Sequence, residues 1–316
     1  MDQPLRHFDR VTVFGGATID RIAQSDARPV MGASNPGHAR RMAGGVGFNV
    51  AAVLARLGAT VRLVSRIGAD PDGEAIVAAC AAAGIDTSNL GTSADKATAG
   101  YHAAFDNHGE LIVGIADMDI CTELNPAAVG PAAADSANDF WVVDANLPEE
   151  TLAFLVEQAA ATGTPVAALA VSPVKAMRLA RLLDRLAFLF ANRREAAALL
   201  GLDPNRTSGA ASLAAELSRT RATRIVVTAG GEPVIAARAG ETRAFVPLKT
   251  DVSAVNGAGD SFAAGTIAAM AEGRPLTDAI RFGLAAAALT IEHGGVAAAP
   301  FKPGALAARI AGRPKP

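Results

Sequence analysis

The chain has little with which to staple itself or hold a metal: two cysteines and five histidines in 316 residues. Cys80 falls in an alanine-rich segment that reads as helix and Cys121 beside a turn, a placement that suits buried thiols better than a disulfide or a metal site. No two histidines have HxxxH spacing, so a zinc site lacks sequence support. An excess of one charge is also missing, with 29 Lys and Arg against 31 Asp and Glu and no long basic run. That argues against nucleic acid or a membrane surface as the main partner and leaves a small molecule as the expected one. No uninterrupted apolar run approaches roughly 18 residues, and Met1 to Arg10 is polar and charged where a signal peptide would be apolar, so a cytoplasmic location is expected. Linkers, repeats and low-complexity tails are absent too. What is present is a chain that is 50% apolar with a net charge of −2, long enough to bury a sizeable core.

Strand and helix patterns alternate along it. Val11 to Phe14 is a short apolar run that stops at Gly15-Gly16 and opens into a loop carrying Asp20. Val46, Val50, Val53, Leu54 and Leu57 recur at helical spacing after Gly44-Gly45 and end at Gly58. Strands are expected at Val61 to Val64, Phe140 to Val143, Val166 to Val171, Leu186 to Phe190 and Arg224 to Val227, and helices at Glu74 to Ala83 and Glu149 to Ala161. Further helices are expected from Asn192, over Ser261 to Ala271, over Leu276 to about Glu292, and beyond Pro303. Such alternation is the pattern of βαβ units and a parallel sheet. One segment breaks it. Tyr101 to Phe105 and Glu110 to Ala116 flank Asp106-Asn107-His108-Gly109 as a β-hairpin, which together with the polar residues 25 to 43 can form either a lid over a site or a plain edge sheet. Strand alternation puts Tyr101 and Phe105 on one face and His102 on the other.

Four local motifs each admit two readings. Asn256-Gly257-Ala258-Gly259-Asp260-Ser261 is a glycine-rich turn running into an apolar helix. It is either an anion cradle with a carboxylate set beside a hydroxyl as general base, or a turn whose Asp260 caps the helix. Gly44-Gly45-Val46-Gly47-Phe48-Asn49 is a second such turn. Asn192 and Glu195, three apart at a helix start, can orient water on Mg²⁺ or form a capping box. Thr228-Ala229-Gly230-Gly231, after a strand, is either a nucleotide-phosphate loop or a turn.

Taken in order, Gly-Gly-x-Gly-x-Asn, Asn-x-x-Glu, Thr-x-Gly and Gly-Ala-Gly-Asp resemble the ribokinase or PfkB family of carbohydrate kinases over nearly the whole chain. The resemblance implies a ribokinase-like α/β three-layer sandwich, with a mostly parallel central sheet flanked by helices and a small β-sheet lid. It also implies one PfkB-type kinase domain over 1–316, with lid segments at about 20–43 and 97–118. In that family ATP donates a phosphoryl group, with Mg²⁺, to a hydroxyl of a sugar or nucleoside. Carried over, Asp260 is the base, and the backbone N–H groups of Gly257, Ala258 and Gly259 form the anion hole. Asp20, Gly44, Gly45 and Asn49 are sugar contacts; apart from the resemblance, Tyr101, His102 and Phe105 on the hairpin are candidates to stack or hydrogen-bond with a base. Asn192 and Glu195 match the Mg²⁺-phosphate motif, Glu195 acting through water, and Thr228, Gly230 and Gly231 the nucleotide loop. Family members often pair through their lids, so a homodimer is an expectation as well.

Some positions depart from the family's commonest pattern. Ala254 stands where many members have an aspartate that helps bind a monovalent cation, which removes the usual reason to expect potassium activation. Val46 replaces a lysine, and Asn256 a threonine or small residue. The runs Gly44 to Ala51, Asn107 to Ile112, Ala116 to Ile120 and Val143 to Leu147 are similar to the pseudouridine kinase branch, although Ser172 stands where that branch commonly has aspartate. The implied reaction is phosphorylation of the 5′-hydroxyl of pseudouridine. The rivals are a kinase for ribose, an adenosine-like nucleoside or a fructose phosphate, and a non-catalytic sugar-binding module. A doubly charged phosphosugar would be repelled by Asp117 and Asp119 if they faced the site, whereas Arg40 and Arg41 would favour it.

Overall fold

A computed structural model describes residues 4–205, 208–219, 223–252 and 255–312. Ala254 lies outside the described residues. The chain starts with β1 (Arg10–Phe14), leaves the core as β2 (Thr18–Ser25) and β3 (Gly37–Gly44), and returns through α1 (Val46–Arg56), β4 (Thr60–Gly68), α2 (Pro71–Ala83) and β5 (Leu90–Ser93). It departs again as β6 (Gly100–Phe105) and β7 (Leu111–Asp117). Then follow α3 (Pro126–Asp135), β8 (Phe140–Asp144), α4 (Glu149–Thr162), β9 (Val166–Leu169), α5 (Pro173–Ala176), β10 (Phe188–Asn192) and α6 (Arg193–Leu199). The last part is α7 (Ala210–Ser218), β11 (Arg224–Thr228), β12 (Val234–Arg238), β13 (Glu241–Phe245), α8 (Ala258–Ala271), α9 (Leu276–His293) and α10 (Ala305–Ile310).

Nine strands form the central sheet in the order β13-β12-β11-β10-β9-β8-β1-β4-β5. The seven from β5 to β11 run parallel, and β12 and β13 add an antiparallel edge. Alternation within each strand feeds two cores. Val11, Val13, Phe140 and Val142 pack with α1, α8 and α9 on one face, while Phe14, Trp141 and Val143 pack with α3, α4, α6 and α7 on the other. This is the three-layer α/β arrangement that the resemblance implied, with both faces of a parallel sheet covered. Cys80 and Cys121 are both buried and free. Among the described residues no helix is long and apolar enough to cross a membrane.

The segments that leave the core meet as a four-stranded sheet, β3-β2-β6-β7, in which β2 and β6 are parallel and the outer pairs antiparallel. The hairpin expected around residues 106 to 109 is present as β6 and β7. Its partners come from the polar stretch before α1, which contributes β2 and β3 on either side of a loop. One face of this sheet is tied to the core: Arg21 of β2 and Arg41 of β3 both donate to the carboxylate of Asp72, in the first turn of α2, at 2.6 Å each. The other face turns to the site.

Six of the described elements have no counterpart among the elements expected from sequence: β5, α3, α5, α7 and the edge pair β12–β13. β13 is exposed at four of its five positions, three of them polar, so it lacks the apolar run that marks an inner strand. α8 begins at Ala258, three residues before the expected start, because Gly257 adopts a left-handed conformation (φ 74°) and serves as its N-cap. Asp260 therefore lies inside the first helical turn.

Candidate active site

At the carboxyl end of the parallel sheet lies a cavity of about 500 Å³, roofed by the four-stranded sheet. The register explains the roof. Met42, Asp20, Tyr101 and Ala116 form one cross-strand row, one residue from each of β3, β2, β6 and β7, and all four line the cavity. Asn49, Gly45, Gly257 and Asp260 line it from the core side. Gly44 does not; it ends β3 opposite Thr18. Gly45 holds φ 89° as the N-cap of α1 and brings the helix start close to the Gly16 carbonyl, where a side chain would collide. His102 faces away from the cavity, as alternation requires, and Tyr101 faces into it. Phe105, expected on Tyr101's face, lines a separate hollow near the β2–β3 loop; the register slips between Ala104 and Phe105.

Asn49 and Asp260, 211 positions apart, meet here: Asn49 Nδ2 donates to Asp260 Oδ2 at 2.8 Å. Burial pushes the Asp260 carboxyl up to about 6, the negative charges of Asp144 and Asp20 add to the rise, and the Asn49 bond opposes it. Asp20 is also raised, by burial, while Thr18 Oγ1 donates to it at 2.7 Å. The N–H of Ala258 is engaged by the Val255 carbonyl at 3.2 Å, a tight turn that closes the start of α8. The N–H groups of Gly259 and Asp260 find no partner among the described residues. Of the three amides proposed from sequence as an anion hole, that of Ala258 is thus occupied.

A second, smaller cavity of about 190 Å³ adjoins the first, and the two share Val46, Val171 and Asp260 as common wall. Asn192, Glu195, Thr228 and Gly259 line it. Asn192 ends β10 and Thr228 ends β11, directly opposite it in the parallel register. Asn192 and Glu195 form a complete capping box: Glu195 N donates to Asn192 Oδ1 at 3.0 Å, and Asn192 N donates back to Glu195 Oε2 at 2.8 Å. Glu195 is 6% exposed, and its carboxyl is raised by burial and by the charge of Asp260. The cap and the cavity wall are therefore one structure, and the two readings of this pair are compatible. Gly230 and Gly231 sit in the turn beyond Thr228 and line neither cavity.

Two expectations about charge change. Asp119 pairs with Lys96 at 2.8 Å, and neither it nor Asp117 lines the acceptor-side cavity, because β7 ends at Asp117 and a short 3₁₀ turn carries Asp119 away. Arg41 is held by Asp72, whereas Arg40 lines the cavity. Sequence reasoning assigned no role to Asn146, Val171, Ser172 and Lys175, which form the wall beyond β8 and β9. The rule that ligands bind beyond the carboxyl ends of parallel strands was the available signal for them. Among the described residues no group of three or more His, Cys, Asp or Glu side chains is set to hold a metal ion.

Comparison with known proteins agrees with this geometry. The chain is 31% identical to pseudouridine kinase of Escherichia coli (strain K12) over 293 residues, 92% of this chain and 93% of the other. It is similar to a solved carbohydrate kinase from Agrobacterium tumefaciens at 35% identity and TM-score 0.81, covering 97% of this chain and 98% of that one. It shares its fold with Arabidopsis thaliana ribokinase complexed with ribose and ATP, at TM-score 0.82, 20% identity, and 96% and 99% coverage. The pfkB family carbohydrate kinase pattern matches residues 9–302, and the chain belongs to that family.

Proposed function

We propose that this phosphotransferase moves the γ-phosphoryl group of ATP to the 5′-hydroxyl of pseudouridine, giving pseudouridine 5′-phosphate and ADP. The observation that carries the mechanism is the position of Asp260 in the wall common to two cavities, with one oxygen held by Asn49. The larger cavity takes the nucleoside and the smaller the nucleotide phosphates. Asp20 and Asn49 hydrogen-bond the ribose hydroxyls, beside Gly44 and Gly45. Asp260 Oδ1 accepts the 5′-hydroxyl proton as that oxygen bonds to phosphorus and the bond to the ADP oxygen breaks. The free N–H groups of Gly259 and Asp260, with Gly257 turning the chain toward them, face the phosphoryl oxygens as negative charge develops. Thr228, with the Gly230-Gly231 turn, borders the nucleotide side. Mg²⁺ would neutralise the phosphates. Both Glu195 oxygens already accept hydrogen bonds from Asn192, so this carboxylate suits an indirect contact through water, and most of the ion's ligands would be phosphate and water oxygens.

The acceptor assignment is supported by the pseudouridine kinase likeness across more than nine-tenths of the chain. Arg40 in the cavity favours a second reading, a phosphorylated sugar. The two are separated by ATP consumption with pseudouridine, uridine, adenosine, ribose and fructose 6-phosphate: turnover confined to fructose 6-phosphate would remove the pseudouridine assignment. Asp260→Asn should lose on the order of 10²-fold or more in kcat with little change in KM, and a rate within a few-fold of the parent would remove the base assignment.

We also propose that the four-stranded sheet is a lid belonging to one kinase domain and that two copies pair through it. All seven residues of β7, an edge strand, are exposed, including Leu111, Val113 and Ile115 at 50% or more. Light scattering of Ile115→Lys should then show monomers where the parent shows dimers; a monomeric parent would refute the pairing.

A further inference from the structure

The wall formed by the ends of β8 and β9 contains a cation that the phosphoryl-transfer chemistry does not use. Lys175 Nζ donates to Asn146 Oδ1 at 2.7 Å, and both residues line the larger cavity. Asn146 is 6% exposed and fixed from both sides: its N–H donates to Asp144 Oδ1 at 2.8 Å, and its carbonyl accepts from Arg178 at 3.1 Å. Asp144 lies behind, but Gly16 N–H and Asn146 N–H take its two oxygens, and Lys175 makes no ion pair among the described residues. The lysine is half-buried, and that burial draws its pKa below the ordinary lysine range while the charge of Asp144 opposes the fall. An ammonium in this position has one neutral acceptor and two N–H bonds still to satisfy.

The backbone that delivers it is strained. Val171 has φ 68°, and the Ser172 N–H donates to the Ala170 carbonyl at 2.8 Å, forming a γ-turn on a β-branched residue. Val171 is shared by both cavities, and the turn redirects the chain so that Ser172 and Lys175 line the acceptor cavity alone. A strained residue at such a junction is maintained where the direction of the following segment matters.

We propose that Lys175, oriented by Asn146, is the specificity residue that reads the heterocycle of the acceptor, donating from its ammonium to a ring carbonyl oxygen of a uracil-type base. This rests on the reading of the acceptor as a nucleoside. Asp20 and Asp260 line the same cavity and are placed for hydroxyl donors, so the ammonium of Lys175 is left for the part of the substrate that presents carbonyls. A dianionic phosphate is less well matched, since Asp20 and Asp260 face the same space and Asp144 lies directly behind the lysine.

The test compares kcat/KM for pseudouridine, uridine and fructose 6-phosphate, and for ribose as substrate or competitive inhibitor, in the parent, Lys175→Met, Lys175→Gln and Asn146→Ala. Lys175→Met should lose about 10- to 150-fold with the uracil nucleoside, the range for a charged hydrogen bond, and leave ribose unchanged. Lys175→Gln, which keeps a neutral donor, should lose less. Asn146→Ala should lose preference for the base in the same direction, which gives the result a second route if Lys175→Met folds poorly. Equal losses with nucleoside and ribose would make Lys175 structural and overturn the proposal while the pseudouridine assignment stood. A parent that prefers uridine, with the preference lost in Lys175→Met, would support the role of Lys175 and overturn the pseudouridine assignment. A parent whose best acceptor is ribose or fructose 6-phosphate would overturn both.

Discussion

The pH dependence of transfer should belong to Asp260 and should move in opposite directions when its two neighbours are changed. Burial pushes this carboxyl up to about 6. A general base works only when deprotonated, so kcat/KM should be level above neutrality and fall about tenfold per pH unit below the pKa of the free enzyme. Asn49→Ala removes the side-chain hydrogen bond that favours the charged form. A bond to a charged acceptor is worth roughly 1.5–3 kcal/mol, and one pKa unit corresponds to about 1.4 kcal/mol. Because Asp260 is only half-buried, water replaces part of the lost donor, and the acid limb should rise by about one pH unit, the low end of that range. Asp20→Asn removes a like charge and should move the limb down, by less, since Asp20 is the weakest of the influences that raise Asp260.

Opposite movement is the decisive feature, because Asp144 is also pushed to about 6 by burial and a limb there does not by itself identify the group. Both variants will also bind the acceptor less well, so the height of the profile carries no information and only the position of the limb is read. Steady-state ADP release with pseudouridine at saturating ATP, from about pH 5 to about pH 9, gives the profiles. A flat parent profile, a limb common to all three proteins, or an Asn49→Ala limb displaced to lower pH would each refute Asp260 as the titrating base.

Glu195→Gln keeps one acceptor of a carboxylate whose two oxygens are both in use, and it should cost about tenfold or more in kcat with a raised Mg²⁺ requirement; an unchanged Mg²⁺ titration would leave Glu195 as a helix cap only. Asp72→Asn releases Arg21 and Arg41 and should speed hydrogen exchange in β2 and β3 and raise the acceptor KM several-fold; unchanged exchange in those strands would show that the tether is not needed. Asp144 bears on stability. Its folded pKa of about 6 exceeds the ordinary 3.8, so the folded state holds a proton that the unfolded state releases. That contribution is complete below about pH 4 and is lost as the pH rises through about 6, at most about 3 kcal/mol, so thermal melts should be higher near pH 5 than near pH 7.5 and the difference smaller in Asp144→Asn.

Much of the fold was legible because its signals are local. Val11 to Phe14, Phe140 to Val143 and Arg224 to Val227 are short apolar runs, and a strand covered on both faces can hardly be written otherwise. The two glycine turns were legible for a similar reason, since a chain that must take positive φ at Gly45 and Gly257 shows this in its residue types. The edge pair β12–β13 was not, because β13 is exposed at every position but Phe245 and its strand character comes from pairing with β12. The charge argument on Asp117 and Asp119 failed at a boundary: alternation predicts a side only while the strand lasts, and β7 ends at Asp117.

The site divides along the same line. Asp260, Asn49, Asn192 and Glu195 each belong to a helix start, where residue type and backbone requirement coincide within a few positions. Lys175 and Asn146 are 29 residues apart, and each follows a different strand; they meet only because β8 and β9 are neighbours in parallel register. No spacing rule connects two such positions, since the length of a crossover helix does not fix which residues after each strand will touch. The phosphoryl-transfer apparatus of a sheet like this can therefore be read locally, whereas the wall that selects the acceptor is set by strand order. Substitutions at Lys175 or Asn146 should accordingly alter which hydroxyl-bearing molecule is chosen while leaving the transfer step at Asp260 in working order.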